Sequence, residues 1–298
     1  MNAELAPEFQ SRVRRDEPMS RHTSWRVGGP ADIFFTPRDR DELAAFLRTL
    51  PQSMPLLWVG LGSNLLVRDG GIRGAVVCTH GAFTRLERRE ALRVYCESGV
   101  PCARLTRQCG NWGLGRAEFF AGIPGTLGGA LAMNAGAFGG ETWRQVVSVE
   151  VMGRDGTRRT RAAAEYQVSY RHVAAPANDE WFLAAEMEFT PRDAAEAGVV
   201  RELAQRRKQT QPLGEWSCGS VFTNPPGDHA ARLIEAAGLK GARIGGAVVA
   251  EKHANFILNQ GHATATDIEA LINQVRETVQ RVHGVLLVPE VRMVGEAP

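Results

Sequence analysis

The sequence predicts an α+β protein with enough residues for roughly two domains. Apolar residues recur at helical spacing in some segments and alternate with polar residues in others, as in strands with one buried face. The dipeptide Asp155-Gly156, between two alternating segments, indicates a β-hairpin. The chain has 298 residues, 44% of them hydrophobic, which is sufficient for sizeable cores.

The first elements are a turn, a helix and two strands. Gly28-Gly29-Pro30 excludes a helix and indicates a strand end followed by a turn. A helix is predicted from Thr36, because residues 36–39 have the outline of a capping box and an apolar face follows. Residues 56–59 form a predicted buried strand, and residues 75–78 are a second apolar segment.

The middle of the chain alternates between strands and a helix. Residues 92–97 have the pattern of a half-exposed strand, and residues 101–111 are predicted to be helical. Residues 147–151 form the first strand of the hairpin, and residues 157–161 return antiparallel to it. Residues 181–190 are predicted to be a further strand.

A domain boundary is expected in the charged segment 193–209, which a Pro-Leu-Gly turn follows. Beyond it, residues 229–237 have one apolar face, with Asp228 as the expected N-cap and Gly238 as the stop signal. This segment is therefore a predicted helix of the last domain.

The last predicted elements are two strands and a long helix. Residues 255–258 form a buried strand. Thr266 and Glu269 suggest a capping box for an apolar helix that ends at Gly284. Residues 285–291 are predicted to form a strand that a proline interrupts.

Charge and cysteine content exclude several classes of protein. The formal net charge is +2, so no strong field favours nucleic acid or an anionic membrane. Five cysteines without a C-x-x-C pair argue against a disulfide framework or a metal site. No secretory signal is recognisable. We therefore expect a cytoplasmic protein with no metal, no nucleic-acid partner and no membrane association.

The segment 121–140 contains seven glycines and no charge. Glycines let the backbone turn sharply and approach a bulky ligand with bare N–H groups, which suits a diphosphate. The small residues 127–135 would form a short helix that points its N-terminus at the anion. A ligand-free crossover between helix and sheet is the alternative, and a membrane span is disfavoured because the stretch is only weakly apolar.

Another glycine turn, Gly60-Leu61-Gly62-Ser63-Asn64-Leu65, follows the strand at 56–59. It comes earlier in the chain and is called the first glycine turn, and the turn in residues 121–140 is called the central turn. It lacks the third glycine and the following helix of a Rossmann fingerprint, and the chain has no P-loop. The two glycine turns together therefore require a different type of phosphate-binding site.

Three segments hold reactive residues: Tyr170-Arg171-His172, Ser217-Cys218-Gly219-Ser220 and Pro289-Glu290-Val291-Arg292. Each has an ordinary structural interpretation as a surface cation, a turn hydroxyl or a helix-facing carboxylate. Cys218 is not supported as a nucleophile, because the chain has no G-x-S-x-G elbow and no recognisable histidine partner. His253 is interpreted as a substrate-contacting or core histidine, since no second histidine lies at i+4.

In the order and spacing of its motifs, the sequence resembles the UDP-N-acetylenolpyruvoylglucosamine reductase family. The resemblance runs from about residue 22 to residue 294 through GLGSN, AGIPGTLGGALAMNAGAFGGE, SYR, SCGSVFTNP, KHANFI and PEVR. It implies a two-part FAD-binding module of the vanillyl-alcohol-oxidase-like (PCMH-type) flavoproteins and a C-terminal α+β substrate domain. The expected domains are residues 1–80 and 81–195 for FAD binding and 196–298 for substrate.

The resemblance implies noncovalent FAD, NADPH as the hydride donor, a nucleotide-sugar substrate in peptidoglycan synthesis, and a monomer. Its catalytic residues are Arg171, Ser220 and Glu290, which would stabilise an enolate and donate a proton. The substrate-binding residues are Tyr170, Lys208, Asn224 and His253. The cofactor-binding residues are Gly60, Gly62, Ser63, Asn64, Leu65, Gly122, Pro124, Gly125, Thr126, Gly128, Gly129, Asn134, Ala135 and Gly136.

Two residues depart from the family pattern. Trp216 replaces a usual proline, which we interpret as loop variation, and Thr223 replaces a usual lysine. The lost cation near the diphosphate is expected to be replaced by Arg207 or Arg243. With tyrosine only at 95, 166 and 170, the chain resembles the branch that lacks a tyrosine-bearing insertion. The rival interpretations are a flavin oxidase of a small alcohol and a ligand-binding regulator without turnover.

Overall fold

The computed structural model of the protein describes residues 9–192 and 198–298. They divide into two compact units, each assembled from separate stretches of chain. The first unit contains the described residues up to 15, residues 33–60 and the described residues from 74 to 205, and the second contains 16–32, 61–73 and 206–298. The predicted division into domains 1–80, 81–195 and 196–298 stays a prediction, and its second boundary lies outside the described residues.

The described residues contain short strands and six α-helices. The strands are β1 Val13–Pro18, β2 Pro30–Phe35, β3 Leu56–Val59, β4 Leu65–Val67, β5 Ile72–Cys78, β6 Leu86–Arg88, β7 Arg93–Glu97, β8 Leu114–Gly115, β9 Gly136–Ala137, β10 Gly140–Glu141, β11 Val146–Gly153, β12 Arg158–Ala162, β13 Gln167–Ser169, β14 His172–Ala174, β15 Glu180–Glu188, β16 Thr190–Pro191, β17 Arg243–Ile244, β18 Ala247–Val249, β19 Ile257–Asn259 and β20 Arg292–Val294. The helices are α1 Arg40–Thr49, α2 Cys102–Asn111, α3 Leu127–Ala132, α4 Val199–Thr210, α5 Ala230–Ala236 and α6 Ala265–His283.

The first unit contains two larger sheets, each with its own core, and three two-stranded sheets among its described residues. One sheet has the order β1-β2-β5-β3, with β3 and β5 parallel, and α1 packs its apolar face against this core. The ring of Phe46 on α1 stacks on that of Phe35 at 3.9 Å between centroids. The other sheet has the order β12-β11-β15-β7-β6 and is antiparallel throughout. Its core includes α2 and α3, so α3 lies on a packed support.

The second unit is built around α6. The strands β17, β18 and β19 form an antiparallel sheet, and β4 pairs in parallel with β20. Its core combines residues that are far apart in sequence, including Trp25, Leu66 and Leu271. The indole of Trp25 also donates a hydrogen bond of 2.7 Å to the Ile257 carbonyl.

Several predicted elements agree with the structure. The strand at 56–59 is β3, the hairpin at Asp155-Gly156 joins β11 to β12, and the helix at 101–111 is α2 without its first residue. The short helix after the central glycine turn is α3. Of the predicted boundary segment 193–209, residues 193–197 lie outside the described residues, and α4 occupies the rest from Val199.

Both predicted capping boxes are wrong by a few residues. Helix α1 has Asp39 as its N-cap, and this carboxylate accepts from the N–H groups of Asp41 and Glu42. Helix α6 has Thr264 as its N-cap, with Asp267 completing the capping box. Each true cap lies one turn or less from the predicted one, in a segment with several suitable side chains.

Other differences concern strands. Residues 285–291 do not form a strand, and β20 begins at Arg292 instead. Strand β1 lies in a segment that the sequence analysis left without structure. Within the described residues, we find no helix that combines the length and the apolar character needed to cross a bilayer.

Candidate functional site

Gly60 and Thr126 bring the two glycine turns into contact in the first unit. A Cβ atom on Gly60 would lie 2.3 Å from Thr126 Oγ1, so no side chain fits there without displacing the threonine. Gly60 directly follows β3, and Thr126 is the N-cap residue of α3. The ends of a strand and a helix therefore fix this contact.

Two buried hydroxyl groups at this place have no hydrogen-bond partner among the described residues. They are Thr126 Oγ1 and Ser98 Oγ, both on residues that are 1% exposed. Ser98 lies against α3, because its carbonyl accepts the Gly128 N–H at 2.8 Å. A buried hydroxyl without a partner costs about 1–3 kcal/mol. The pair therefore suits a ligand rich in hydrogen-bond acceptors, and a diphosphate fits that requirement.

The expectation of bare amides at the central turn is wrong at three positions. The N–H groups of Gly125, Leu127 and Gly128 each donate to a protein carbonyl, at 3.0, 2.9 and 2.8 Å. A Cβ on Gly129, by contrast, would have no protein atom within 4 Å. A cofactor role for these glycines stays a prediction, and it would rest on close approach rather than on donation by those three amides.

The remaining residues of the first turn make contacts inside the second unit. Gly62 has a φ of +62°, and a Cβ there would lie 1.9 Å from the His22 carbonyl oxygen. Asn64 Nδ2 donates to the Glu290 carbonyl at 3.0 Å, and Leu65 begins β4. Protein contacts therefore explain Gly62 and Asn64 at least in part. The cofactor roles predicted for these residues and for Ser63 are not tested by the geometry.

The end of the central stretch is a glycine hairpin that Asn134 supports. Asn134 is 1% exposed, its Nδ2 donates to the Ser169 carbonyl at 3.0 Å, and its Oδ1 accepts from the Trp143 N–H. Gly136 pairs with β10, and a Cβ there would lie 2.3 Å from the Gly140 carbonyl oxygen. The side chain of Asn134 therefore serves to join this hairpin to the one that carries Arg171.

Arg171 lies in the two-residue loop between β13 and β14. Its Nη2 donates to the Gly136 carbonyl at 2.8 Å and its Nη1 to the Asn134 carbonyl at 3.4 Å. Its guanidinium carbon lies 5.3 Å from the ring centroid of Tyr170, which is 49% exposed. A delocalised cation is thus held in one orientation beside an exposed aromatic ring, which suits recognition of a carboxylate.

Ser220 and Glu290 lie on neighbouring backbone segments of the second unit. The Glu290 N–H donates to the carbonyl of Val221, the residue after Ser220, at 2.7 Å. Thr223 continues the pairing, because its N–H donates to the Val288 carbonyl at 3.0 Å. Both predicted catalytic residues of this unit are half-buried. A hydroxyl and a carboxyl group are therefore carried by one paired backbone unit.

The cysteines do not have the properties of nucleophiles. All five are buried and free. Burial raises the pKa of the Cys218 thiol well above its usual range, and Glu290 raises it further. Burial also raises the pKa of Cys102 and of Cys109 to about 12. These groups stay protonated near neutral pH, in agreement with the sequence argument against covalent catalysis.

Lys208 lines a cleft of about 560 Å³ in the second unit. Arg243 and Lys252 line the same cleft, and Lys252 Nζ donates to the Lys208 carbonyl at 2.6 Å. Arg207, the other proposed replacement for the missing lysine, is half-buried, and its Nε donates to Gln211 at 2.9 Å. Of the two candidates, Arg243 is thus the one that shares a cleft with Lys208. Lys252 was not singled out from the sequence.

The last two predicted substrate residues differ in what they offer. Asn224 Oδ1 accepts from the Ala230 N–H at 3.0 Å, so it supplies the cap that Asp228 was expected to give α5. His253 Nδ1 is buried and has no partner among the described residues. Burial lowers the pKa of His253, so its imidazole is neutral near pH 7. That nitrogen is free to meet a ligand.

Two family models match the chain. A model described as FAD binding domain matches residues 31–161, and one described as UDP-N-acetylenolpyruvoylglucosamine reductase, C-terminal domain, matches residues 211–294. The protein is thus of the flavoprotein class, with a FAD-binding domain followed in sequence by a reductase C-terminal domain. The predicted fold class, a FAD-binding module followed by an α+β C-terminal domain, is confirmed.

Relatives narrow the class to one family. UDP-N-acetylenolpyruvoylglucosamine reductase of Alkalilimnicola ehrlichii is 60% identical over 286 residues, which cover 96% of this chain and 95% of the relative. The enzyme of that name from Methylococcus capsulatus is 58% identical, covering 94% and 92%. The crystal structure of the Thermus caldophilus reductase matches with a TM-score of 0.81 at 32% identity, covering 95% of this chain and 98% of that one. The chain belongs to the UDP-N-acetylenolpyruvoylglucosamine reductase family.

Proposed function

We propose that the protein reduces the enolpyruvyl group of UDP-N-acetylglucosamine-enolpyruvate to give UDP-N-acetylmuramate for peptidoglycan synthesis. Noncovalent FAD is the cofactor and NADPH the hydride donor. Family membership supports the overall reaction. The pairing of the Ser220 and Glu290 segments through a 2.7 Å hydrogen bond is the observation that carries the assignment of residues.

The residues that would hold FAD are those around the Gly60–Thr126 contact. Thr126 and Ser98 offer the two unpartnered hydroxyls for the diphosphate, and Gly129 leaves open space beside them. A flavin held there would supply the redox chemistry of the reaction, hydride transfer from NADPH to the enolpyruvyl β-carbon. The turns Gly60–Leu65 and Gly122–Gly129 contain no His or Cys that could form a covalent flavin bond.

Arg171 is proposed to bind the substrate carboxylate and the oxyanion that develops on it. A guanidinium keeps its proton and can offer two parallel donors to one carboxylate. The bonds to the Gly136 and Asn134 carbonyls would set its orientation before substrate arrives. Preorganised donors of this kind stabilise charge that appears in the transition state.

Ser220 and Glu290 are proposed to complete the reaction. Glu290, with its carboxyl group protonated, would donate a hydrogen bond to the same oxygen that Arg171 binds, and Ser220 would protonate the α-carbon. A serine hydroxyl is a weak acid, but an enolate carbon is basic enough for a positioned hydroxyl to serve as the general acid.

The nucleotide part of the substrate is proposed to bind at the cationic cleft. Lys208, Arg243 and Lys252 line this cleft together with Glu215 and Glu251, so cations outnumber carboxylates by one. The three cations would bind the diphosphate. Arg243 would supply the cation that is lost at Thr223. Tyr170, Asn224 and His253 are proposed as further contacts. We also propose that the protein acts as a monomer in the cytoplasm.

The purified holoprotein tests this function without air. NADPH should bleach the flavin absorbance, and the enolpyruvyl nucleotide sugar should then restore it with formation of UDP-N-acetylmuramate. A flavin that a small alcohol reduces, and that the nucleotide sugar never reoxidises, would indicate an oxidase. A protein that binds flavin or nucleotide sugar without turnover would be a regulator.

Ser220→Ala tests the assigned proton donor. Flavin reduction by NADPH should stay near normal, whereas reoxidation by the enolpyruvyl substrate should slow by roughly 10²-fold or more, as expected when a general acid is lost. Cys218→Ala, two residues away, is the control and should leave both half-reactions nearly intact. Equal slowing of both half-reactions would assign Ser220 a structural role, and normal reoxidation would assign the proton to Glu290 or water.

A further inference from the structure

A buried asparagine, Asn255, is hydrogen-bonded to the backbone beside Ser220. Its Oδ1 accepts the Phe222 N–H at 3.0 Å, and its Nδ2 donates to the Phe222 carbonyl at 2.8 Å. Its own backbone carbonyl accepts the Val221 N–H at 2.9 Å. Asn255 is only 4% exposed, so these three bonds are shielded from water.

The segment after Ser220 is thereby held on two sides. Asn255 bonds to Val221 and Phe222 on one side, and the Glu290 segment bonds to the Val221 carbonyl on the other. Before Ser220 stands Gly219, whose φ of +82° places it in the left-handed region that glycine adopts freely. Ser220 therefore lies between Gly219, whose backbone can adopt many conformations, and Val221, whose backbone is held by hydrogen bonds. The position of Ser220 depends on the hydrogen bonds of Val221 and Phe222.

The carboxamide of Asn255 supplies both the acceptor and the donor that these two bonds to Phe222 require. An ionised aspartate would still accept the N–H, but its second oxygen would face the Phe222 carbonyl with no proton to donate. An alanine would leave two buried backbone groups without partners, which is more costly than an unmade bond at the surface. The chemistry of Asn255 is thus matched to the backbone N–H and the backbone carbonyl of one residue, Phe222.

We infer that Asn255 is a positioning residue that holds the Ser220 hydroxyl in place for proton transfer. The inference rests on the proposed function, in which Ser220 is the proton donor. Asn255 itself touches neither the reacting atoms nor the cofactor in this scheme, and it acts through the backbone of Phe222.

Asn259 provides a matched control in the same segment of the second unit. It is also a buried asparagine, 5% exposed, whose Nδ2 donates to the Trp25 carbonyl at 2.8 Å. Its Oδ1 accepts from the N–H groups of Gly261 and Ala263. It makes a similar number of buried bonds, but none of these bonds reaches the Ser220 segment.

The experiment compares Asn255→Asp and Asn259→Asp holoenzymes in the two anaerobic half-reactions. Asn255→Asp should slow reoxidation by the enolpyruvyl substrate by about 10-fold or more and leave reduction by NADPH within about 2-fold of the unchanged enzyme. Asn259→Asp should lower the melting temperature without changing either rate. Equal slowing in the two variants, or normal reoxidation in Asn255→Asp, would overturn the inference. Should Asn255→Asp not fold, Asn255→Ser gives the same comparison.

A double mutant separates positioning from general damage. If Asn255 acts through Ser220, adding Asn255→Asp to Ser220→Ala should change the reoxidation rate by less than about 2-fold, because the group it positions is gone. Fully additive effects would overturn the inference. The unchanged enzyme shows whether the proposed function or the inference about Asn255 has failed. If it does not turn over the nucleotide sugar, the proposed function is contradicted. If it does, and substitution of Asn255 leaves reoxidation unchanged, only the inference is contradicted.

Discussion

Arg171 has a φ of 56°, in the left-handed region that glycine and asparagine adopt most readily. Asn134 and Phe138, in the glycine hairpin next to it, also have positive φ values, 46° and 52°. Each such residue costs on the order of 1–3 kcal/mol and persists only where the surroundings enforce it. Here the bonds between Arg171, Asn134 and Ser169 do so. Three of the seven non-glycine residues with positive φ among the described residues thus lie where the proposed carboxylate-binding cation must be held.

Gly129 gives the cleanest test of the proposed flavin site. A Cβ there would meet no protein atom within 4 Å, so the protein itself does not require glycine at this position of α3. Gly129→Leu should therefore fold normally and lose stoichiometric FAD if the cofactor occupies that space. Flavin absorbance per mole of purified protein measures this, with circular dichroism to monitor folding.

Ala132→Leu is the control for the glycine substitution, because Ala132 is an exposed residue of the same helix. It should bind FAD normally. Full FAD occupancy in Gly129→Leu would move the cofactor away from α3. Gly128 is less informative, since a Cβ there would already lie 2.9 Å from Ser98 Cβ.

His253 predicts a pH dependence of stability. Burial lowers the pKa of His253 in the folded protein below the ordinary value of about 6.5 that it has in the unfolded chain. As the pH falls below about 6.5, the unfolded chain binds the proton first, so this group's contribution to the free energy of unfolding decreases toward acid. His253→Gln should remove that part of the slope between pH 7 and 5 in urea titrations. Parallel profiles for His253→Gln and the unchanged protein would contradict the assignment.

The sequence indicated where the site residues lie better than it indicated what each one does. The glycine content indicated both turns. However, Gly62 is required because a side chain there would clash with the His22 carbonyl, and a side chain on Gly128 would crowd Ser98. These contacts join residues far apart in sequence, so no local pattern reports them. Ser98 was missed for the same reason, since a serine after a strand is an ordinary turn signal.

At the scale of elements, α6 is capped from a distant part of the chain. The carboxylate of Asp69 accepts from the N–H groups of Ala265 and Thr266 and from the Thr266 hydroxyl, at 2.7 to 3.0 Å. Thr264 and Asp267 cap the same helix locally. The segment that follows β4 is therefore attached to the start of the central helix of its unit.

Asp69→Ala should destabilise the protein by about 1–2 kcal/mol, the usual cost of losing a helix cap. The urea midpoint of unfolding, followed by circular dichroism, measures this. Asp69→Asn keeps one acceptor oxygen and should fall between the alanine variant and the unchanged protein. An unchanged midpoint for Asp69→Ala would mean that Thr264 and Asp267 suffice.

Element prediction succeeded where the pattern was long and local and failed where the partner was remote. The hairpin β11–β12 and helix α2 are determined by their own turn and apolar residues. The predicted capping boxes were wrong because Thr and Asp residues compete within one turn at the start of each helix. At α6 the distant Asp69 also binds the first turn. Residues 285–291 are mostly apolar, and this pattern predicted a strand. They make only one isolated bridge to the segment after Ser220, between Pro289 and Phe222, so no strand forms.

At the scale of the molecule, the second unit is assembled from three separated stretches. Its core includes Trp25 from the first stretch, Leu66 from the second and Val291 from the last. The family resemblance predicted a C-terminal domain. In the structure, residues 16–32 and 61–73 belong to the same compact unit as residues 206–298. The spacing of apolar residues could not predict this assembly, because it indicates individual helices and strands and not the elements that pack against them.

The isolated segment 206–298 should therefore fail to fold. Without Trp25, Val27 and Leu66 it loses part of its core, and β20 loses its partner β4. We expect a broad, non-cooperative thermal transition by circular dichroism, against a cooperative one for the full chain. A cooperative transition for the segment alone would show that the early stretches contribute little.

The parallel pairing of β4 with β20 also sets an order of events during synthesis. Leu65–Val67 is buried once paired, yet its partner Arg292–Val294 is made more than 200 residues later. At about 5–20 residues per second, the ribosome needs on the order of ten to forty seconds to reach it. For that time an apolar strand next to the first glycine turn stays without its neighbour on the nascent chain. Completion of that turn, and of any cofactor binding that depends on it, is therefore among the last steps of biogenesis.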